Sequence, residues 1–396
     1  METKKTSLLN NSLLWFGAAV SIAEIFTGTL FAPLGFANAL FAILIGHVIG
    51  CTLLYLAGLI GAKRGLSAME TVRISFGSNG SYLFSVFNIL QLLGWTAVMI
   101  ISGARAVGVI ADPIKPGSNI LLWCALIGVL IMVWIAVGIK KLGVVNIFAV
   151  GGLFVLTVIL STIVFRGAGV SAGEGGMSFG AAVELSAAMP LSWLPLISDY
   201  TRHAKRPVAA TLLSTLAYFV GSCWMYIIGA GAAIFAGVSD IARIMMTAGL
   251  GLAGVLIVLL STVTTTFLDA YSAGVSSANI SGRINEKWAA AAVCALGTLI
   301  AMFTPIEQYE DFLYLIGSVF APMIAILITD FFILKKDHMN KSVSVTNLAV
   351  WAAGFAVYRL FMSFDTIVGT TLPVMALTAI LCVLIEGVKR LCLKRY

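Results

Sequence analysis

The sequence predicts an all-α polytopic membrane protein with about twelve transmembrane helices, and three observations predict it. The chain of 396 residues is 60% apolar and only 10% charged, with mean hydropathy +1.04. A soluble fold carries roughly 25% charged residues and has nowhere to hide so much apolar surface. Apolar runs long enough to cross a roughly 30 Å hydrocarbon layer follow one another from Trp15 almost to Lys389. The runs are continuous and rich in Leu, Ile, Val, Ala and Gly, whereas a membrane β-barrel alternates over segments of about ten residues.

In chain order the spans fall near 13–37, 39–61, 82–110, 119–138, 143–165, 180–199, 209–236, 249–279, 288–303, 311–334, 344–362 and 370–388. The opening Met-Glu-Thr-Lys-Lys is followed by an apolar run too long for a cleavable leader, so the first span is expected in the mature protein. An even count places both ends on one side. With the ends cytoplasmic, every one of the 24 Lys and Arg residues falls in an inner segment except Arg105, Lys115, Arg166, Arg243 and Arg359. That excess of inner positive charge explains the net charge of +7 and removes any reason to invoke nucleic acid. Cys51, Cys124, Cys223, Cys294, Cys382 and Cys392 show no metal-ligand spacing and read as small buried hydrophobes. His203 and His338 fall in basic inner loops, which leaves His47 alone in a span and no raw material for a zinc or histidine-based catalytic centre.

The first span, AAVSIAEIFTGTLFAPLG (18–35), and the sixth, LSAAMPLSWLPLISDYTR (185–202), look breakable. The first carries Ser21, Glu24, Thr27 and Gly28 near its middle and Pro33 beyond; the sixth carries Pro190 and Pro195, each removing a helical hydrogen bond. Broken helices free backbone groups that line a cavity at mid-membrane depth. First and sixth are equivalent positions in two sets of five helices, which points to an inverted repeat with the substrate site between the halves. Proline and glycine also simply kink membrane helices, so each break alone has a plainer reading.

The third span holds Gln91 and Trp95 one turn apart, and Trp193 lies between the two prolines of the sixth. A flat heteroaromatic ring would fit between indoles, with amides and carboxyls reading its edge; other tryptophans, such as Trp15, read as interface-belt residues. In the eighth span Ser261, Thr264 and Thr265 share one helical face, and Asp269 continues it. Two hydroxyls with carbonyls of a broken helix make an oxygen set for a small hard cation, although such runs also bond their own backbone or join helices. Glu24 and Asp269 lie well inside spans with no basic residue nearby in sequence, and a carboxyl at that depth is a functional candidate.

These residues resemble the nucleobase:cation symporter-1 family of cytosine, hydantoin, allantoin and thiamine-precursor permeases. The most specific pieces are SWLPLISDYTR (192–202), with its Asp-aromatic-x-Arg ending, and TTTFLDAYSAGVSSANI (264–280). The short length and the first span bearing Glu24 resemble a CytX-type hydroxymethylpyrimidine transporter. The resemblance implies a LeuT-like fold: a single transporter domain over 1–396, with inverted repeats at about 13–165 and 180–334 and two extra helices at about 344–388. It implies a sodium site from the carbonyls of Val20 and Ala23, the carbonyl of Ser261 and the hydroxyls of Thr264 and Thr265. It places the stacking tryptophan at Trp95 and polar substrate contacts at Glu24, Gln91 and Ser192. The second stacking aromatic of the family falls on Pro190, three residues from Trp193, and Asp269 is not a family-wide residue, so its role rests on position alone.

The resulting expectation is a secondary active importer of a small aminopyrimidine, best matched by hydroxymethylpyrimidine, with sodium as coupling ion and no other cofactor. Glu24, Gln91, Trp95, Ser192, Trp193 and Asp269 would contact substrate. A cytosine or other nucleobase permease, proton-coupled through Glu24 or Asp269, and an amino-acid transporter of the same fold are the alternatives. No nucleophile with a base or metal set marks an enzyme, and no continuous polar pore marks a channel. The protein is expected in the cell (inner) membrane, multi-pass, with both termini cytoplasmic and function as a monomer.

Overall fold

The computed structural model describes residues 5–111, 119–138, 143–167, 176–237, 251–303 and 309–393, so Lys115, Arg243 and the inner basic residues Lys4, Lys140, Lys141, Lys394 and Arg395 lie outside the described residues. Helices account for all the regular structure among these residues: α1 Leu8–Ala19, α2 Ile22–Thr29, α3 Gly35–Arg64, α4 Ala68–Phe76, α5 Gly80–Ala111, α6 Ile120–Val137, α7 Gly143–Val164, α8 Phe179–Trp193, α9 Ile197–Thr201, α10 Pro207–Phe235, α11 Gly251–Ile280, α12 Glu286–Phe303, α13 Tyr309–Ile328, α14 Val345–Phe361 and α15 Thr371–Leu393. Among the described residues eight spans are long and apolar enough to cross a membrane, and α1 with α2 makes a ninth that is bent by 45°. The shorter apolar helices α7 and α14 and the 30-residue α11 complete the twelve spans read from the sequence.

The first break falls at Val20–Ser21, without help from a proline. Val20 closes α1, and Ser21 turns extended (φ −130°, ψ 157°) and caps α2 by accepting from the Glu24 amide. Its hydroxyl thereby satisfies one of the orphan donors at the helix start. In the sixth span Pro190 sits inside an unbroken α8, contrary to expectation, and the chain turns instead over 194–196, around Pro195. The residue before a proline is pushed out of helical geometry by the ring, whereas a proline within the last turns of a helix costs one bond and a bend.

Two groups of helices pack mainly within themselves. The broken spans α1/α2 and α8/α9 pack with α3 and α10, through the pairs α1–α10, α2–α10, α3–α8 and α3–α10. The other group joins α5, α6, α11 and α12, with α5–α11 the most extensive contact in the molecule. Helix α2 meets α10 almost backbone to backbone: a Cβ on Gly28 would stand 2.3 Å from the Tyr226 carbonyl oxygen. Small residues allow that approach where lipid offers no hydrophobic incentive for helices to associate. Helices α14 and α15 pack on α13 and on each other.

Below the break, the Asp-Tyr-x-Arg ending ties the first group to its neighbours. Asp199 Oδ1 accepts from the Ala68 amide at the start of α4 (2.9 Å), and Tyr200 donates to the Leu268 carbonyl in α11 (2.7 Å). Arg202 donates to Glu70 at 3.1 Å. Partial burial opposes ionisation of Glu70, but the Ser67 amide and hydroxyl, with Arg202 and Arg73, outweigh it and hold its carboxyl below the usual range. Trp15, read from the sequence as an interface residue, is completely buried between Trp193, Tyr200 and Tyr218. Among the cysteines only Cys392 is exposed; the others are buried and free.

Candidate substrate and cation site

Where α1 turns into α2, the chain faces α5, α8 and α11 across a small cavity. Ser21, Ala23, Glu24, Trp95, Met99, Met189, Ser192, Trp193, Thr265 and Asp269 line it. The cavity is ≈ 20 Å³ as the space open to the centre of a water-sized sphere, room for about one such group. A six-membered ring enters only when these side chains part.

Its walls combine aromatic and thioether surfaces with two carboxyls. Trp95 is 6% exposed and lies edge-on to Phe312, with centroids 5.6 Å apart. Trp193 is held edge-on by Trp15 at 5.5 Å and Tyr218 at 6.1 Å. A ring between the two indoles would find faces and edges already fixed by neighbouring aromatics.

The two carboxyls differ in their surroundings. Glu24 accepts from the Tyr218 hydroxyl at Oε1 (2.6 Å) and from the Ser222 hydroxyl at Oε2 (2.7 Å). Two donors from α10 therefore fix its plane and leave its remaining lone pairs for the cavity. Asp269, 3% exposed, accepts no hydrogen bond from any described residue. A buried polar group without a partner is costly, so a ligand donor reaching Asp269 would relieve that cost.

Gln91 does not line the cavity. Its amide donates to the Ser192 carbonyl (3.2 Å) and to Asn88 Oδ1 (2.8 Å), while Asn88 donates to the Pro195 carbonyl (3.1 Å). These α5 amides satisfy carbonyls that the α8–α9 break removes from the helical ladder. Gln91 thus positions Ser192 and the site wall, and Gln91 Oε1 stays buried without a partner. The Ser192 hydroxyl bonds back to Ala188 at 3.0 Å.

The oxygen-rich face of α11 meets the first break. Ser261 donates to the Val20 carbonyl at 2.8 Å, and Thr264 donates to the Leu260 and Ser261 carbonyls at 2.9 and 3.1 Å. The Ala23 carbonyl accepts from Thr27 at 2.8 Å. Thr265 Oγ1 is buried with no hydrogen-bond partner. The orphaned Thr265 hydroxyl is an oxygen of the kind a small hard cation takes, whereas the Val20, Ala23 and Ser261 carbonyls each accept a side-chain hydroxyl here and would have to exchange that hydrogen bond for the ion. Among the described residues no group of His, Cys, Asp and Glu is arranged to hold a transition metal.

Sequence reasoning missed Tyr218, Ser222 and His47. Tyr218 and Ser222 are one turn apart on α10 and carry no local signal; only the approach of α2 makes them partners of Glu24. His47 did carry one, as an ionisable residue inside a span, but its partners, Ser222 and Ser186, are 175 and 139 residues away.

A family model described as permease for cytosine/purines, uracil, thiamine and allantoin matches residues 1–385. The cytosine permease of Escherichia coli K12 is 26% identical over 363 residues, 90% of this chain and 85% of that protein. The hydantoin permease of Microbacterium maritypicum is 25% identical over 201 residues, 48% of this chain and 41% of that one. The structure of Mhp1, a nucleobase-cation-symport-1 family transporter in a closed conformation with bromovinylhydantoin bound, has TM-score 0.82, covering 96% of this chain and 92% of that chain at 21% identity. The inward-facing conformation of Mhp1 has TM-score 0.77 at 19% identity, covering 99% and 92%. These likenesses show that the chain has the same fold.

Proposed function

The chain belongs to the family of permeases for cytosine/purines, uracil, thiamine and allantoin, and from that premise we propose that it imports an aminopyrimidine by sodium-coupled alternating access. The observation that carries the substrate class is the pairing of Glu24, fixed by Tyr218 and Ser222, with Trp95 in one cavity. An exocyclic amine beside a ring nitrogen offers a donor and an acceptor side by side, and a carboxyl reads both in a bidentate pair. The ring stacks on Trp95, with Trp193 as the second aromatic wall. Gln91 holds the Ser192 wall in place.

Cytosine and hydroxymethylpyrimidine share that edge. Similarity to the E. coli cytosine permease supports the first; the unpartnered Asp269, able to accept from a hydroxymethyl group, supports the second. Two carboxyls in one cavity argue against a substrate carboxylate, and so against an amino acid.

Sodium is assigned to the carbonyls of Val20, Ala23 and Ser261 with the hydroxyls of Thr264 and Thr265, a reading supported by the orphaned Thr265 hydroxyl. Proton coupling through Glu24 or Asp269 is the second reading, supported by their burial without a cationic partner. The protein acts in the cell membrane, as a monomer, with both termini cytoplasmic. Glu24→Gln keeps one donor and one acceptor but loses the charge. It is expected to reduce uptake by about tenfold or more while the protein stays folded and inserted; unchanged uptake kinetics would take Glu24 out of the site.

A further inference from the structure

The cavity has room for about one water-sized group, so part of its wall must give way to a ring, and the lining side chains differ in how freely they can. Glu24 is held by Tyr218 and Ser222, Trp193 by Trp15 and Tyr218, and Trp95 by Phe312. Thr265 is branched at Cβ and therefore stiff in a helix. Met99 and Met189, each 3% exposed, also line the cavity. Their unbranched thioethers need no hydrogen bond and turn about three bonds. These are the walls able to move.

The register of the helices sets Met189 opposite Trp95. Asn88 donates to the Pro195 carbonyl and Gln91 to the Ser192 carbonyl. A step forward along α5 is thus an equal step back along α8, and the two helices run antiparallel. Carried one turn further, the register brings Trp95 against Ala188 and its neighbour Met189. Trp193 stands instead against Leu90, about 7 Å away along the axis from the level of Trp95. Pro190, onto which the family's second stacking aromatic falls, turns to α3: a Cβ on Gly50 would stand 2.9 Å from Pro190 Cγ. The face across from Trp95 is left to Met189.

We propose that Met189 is a specificity-determining residue of the ring site: its thioether forms the face opposite Trp95, with Trp193 as the wall one turn further along α8, and it swings aside with Met99 to admit the ring. This rests on the reading that a ring stacks on Trp95. A thioether makes favourable contacts with an aromatic ring and adapts its rotamer to the outline it meets. Two rigid aromatic faces would instead leave a flat slot. The site therefore accepts a ring whose substituent projects out of the ring plane about as well as a flat one. A hydroxymethyl group projects in that way, whereas cytosine is flat.

The test is equilibrium binding to the full-length protein in detergent and sodium buffer of two pairs of rings: cytosine with 5-hydroxymethylcytosine, and uracil with 5-hydroxymethyluracil. The wild type is expected to bind cytosine and 5-hydroxymethylcytosine within about threefold of each other. Met189→Phe, which builds the flat slot, is expected to favour cytosine over its hydroxymethyl derivative by about tenfold. Met189→Ala, which removes the face, is expected to weaken both by about tenfold and leave their ratio unchanged. Met189→Leu, close in volume, is expected to stay within about threefold of the wild type for both. Wild-type affinities in Met189→Ala, or an unchanged ratio in Met189→Phe, would overturn the proposal; the alanine variant decides alone if phenylalanine is too large for the fold. Binding of the uracil pair alone would remove the aminopyrimidine reading, and the same Met189 comparison is then read on that pair. Binding of none of the four rings would overturn both.

Discussion

Glu24 and Thr265 show how much meaning at the residue scale depends on partners far away in sequence. Both were legible as candidates, one as a carboxyl inside a span and the other in a row of hydroxyls. Tyr218 and Ser222, which orient Glu24, were not legible, because an i, i+4 pair on an apolar helix acquires a role only when another helix arrives. Trp15 was misread for the same reason: a tryptophan near the start of a span suits an interface as well as a core, and its burial is decided by Trp193 and Tyr218. Thr265 yields a sharp prediction because its hydroxyl has no partner to lose. Thr265→Val, which keeps the shape, is expected to leave thermal stability unchanged or higher. The same variant is expected to need about tenfold more sodium for half-maximal uptake, since one ligand oxygen is gone. Unaltered sodium dependence would remove Thr265 from the cation site.

Among the elements, the interrupted helices are the parts most clearly written in the sequence, though not their exact breaks. The sixth span turns around Pro195 while Pro190 remains helical, and the first span breaks at Val20–Ser21, where a serine cap rather than a proline restarts the helix. Patterns of proline and glycine locate such irregularities to within a turn or two; the residue that breaks is settled by which freed backbone groups find partners. Asn88 and Gln91 are those partners for the sixth span. Asn88→Ala leaves the Pro195 carbonyl buried without its donor and is expected to cost about 1–3 kcal/mol. Thermal unfolding in detergent would show it as a lowered midpoint; an unchanged midpoint would mean that water or a neighbour takes over the bond.

For the whole molecule, the twelve spans were readable because length and composition dictate them, and the basic residues predict an orientation for them. The two breaks lying five spans apart pointed to two successive sets of five helices; the grouping of α1/α2, α3, α8/α9 and α10 against α5, α6, α11 and α12 takes helices from both sets and was not read from the sequence, because only the packing decides it. The expected cytoplasmic C-terminus has a direct check, since Cys392 is exposed and the other cysteines are buried. A membrane-impermeant thiol reagent is expected to label Cys392 in inside-out vesicles and not in intact cells; labelling in intact cells would reverse the topology. The central claim, sodium-coupled transport of an aminopyrimidine read by Glu24 and Trp95, is tested most directly by uptake of radiolabelled cytosine into proteoliposomes at fixed pH. An inward sodium gradient should drive accumulation, and excess hydroxymethylpyrimidine should suppress it while excess uracil does not. Accumulation that ignores sodium, or that uracil suppresses as well as hydroxymethylpyrimidine does, would contradict the account.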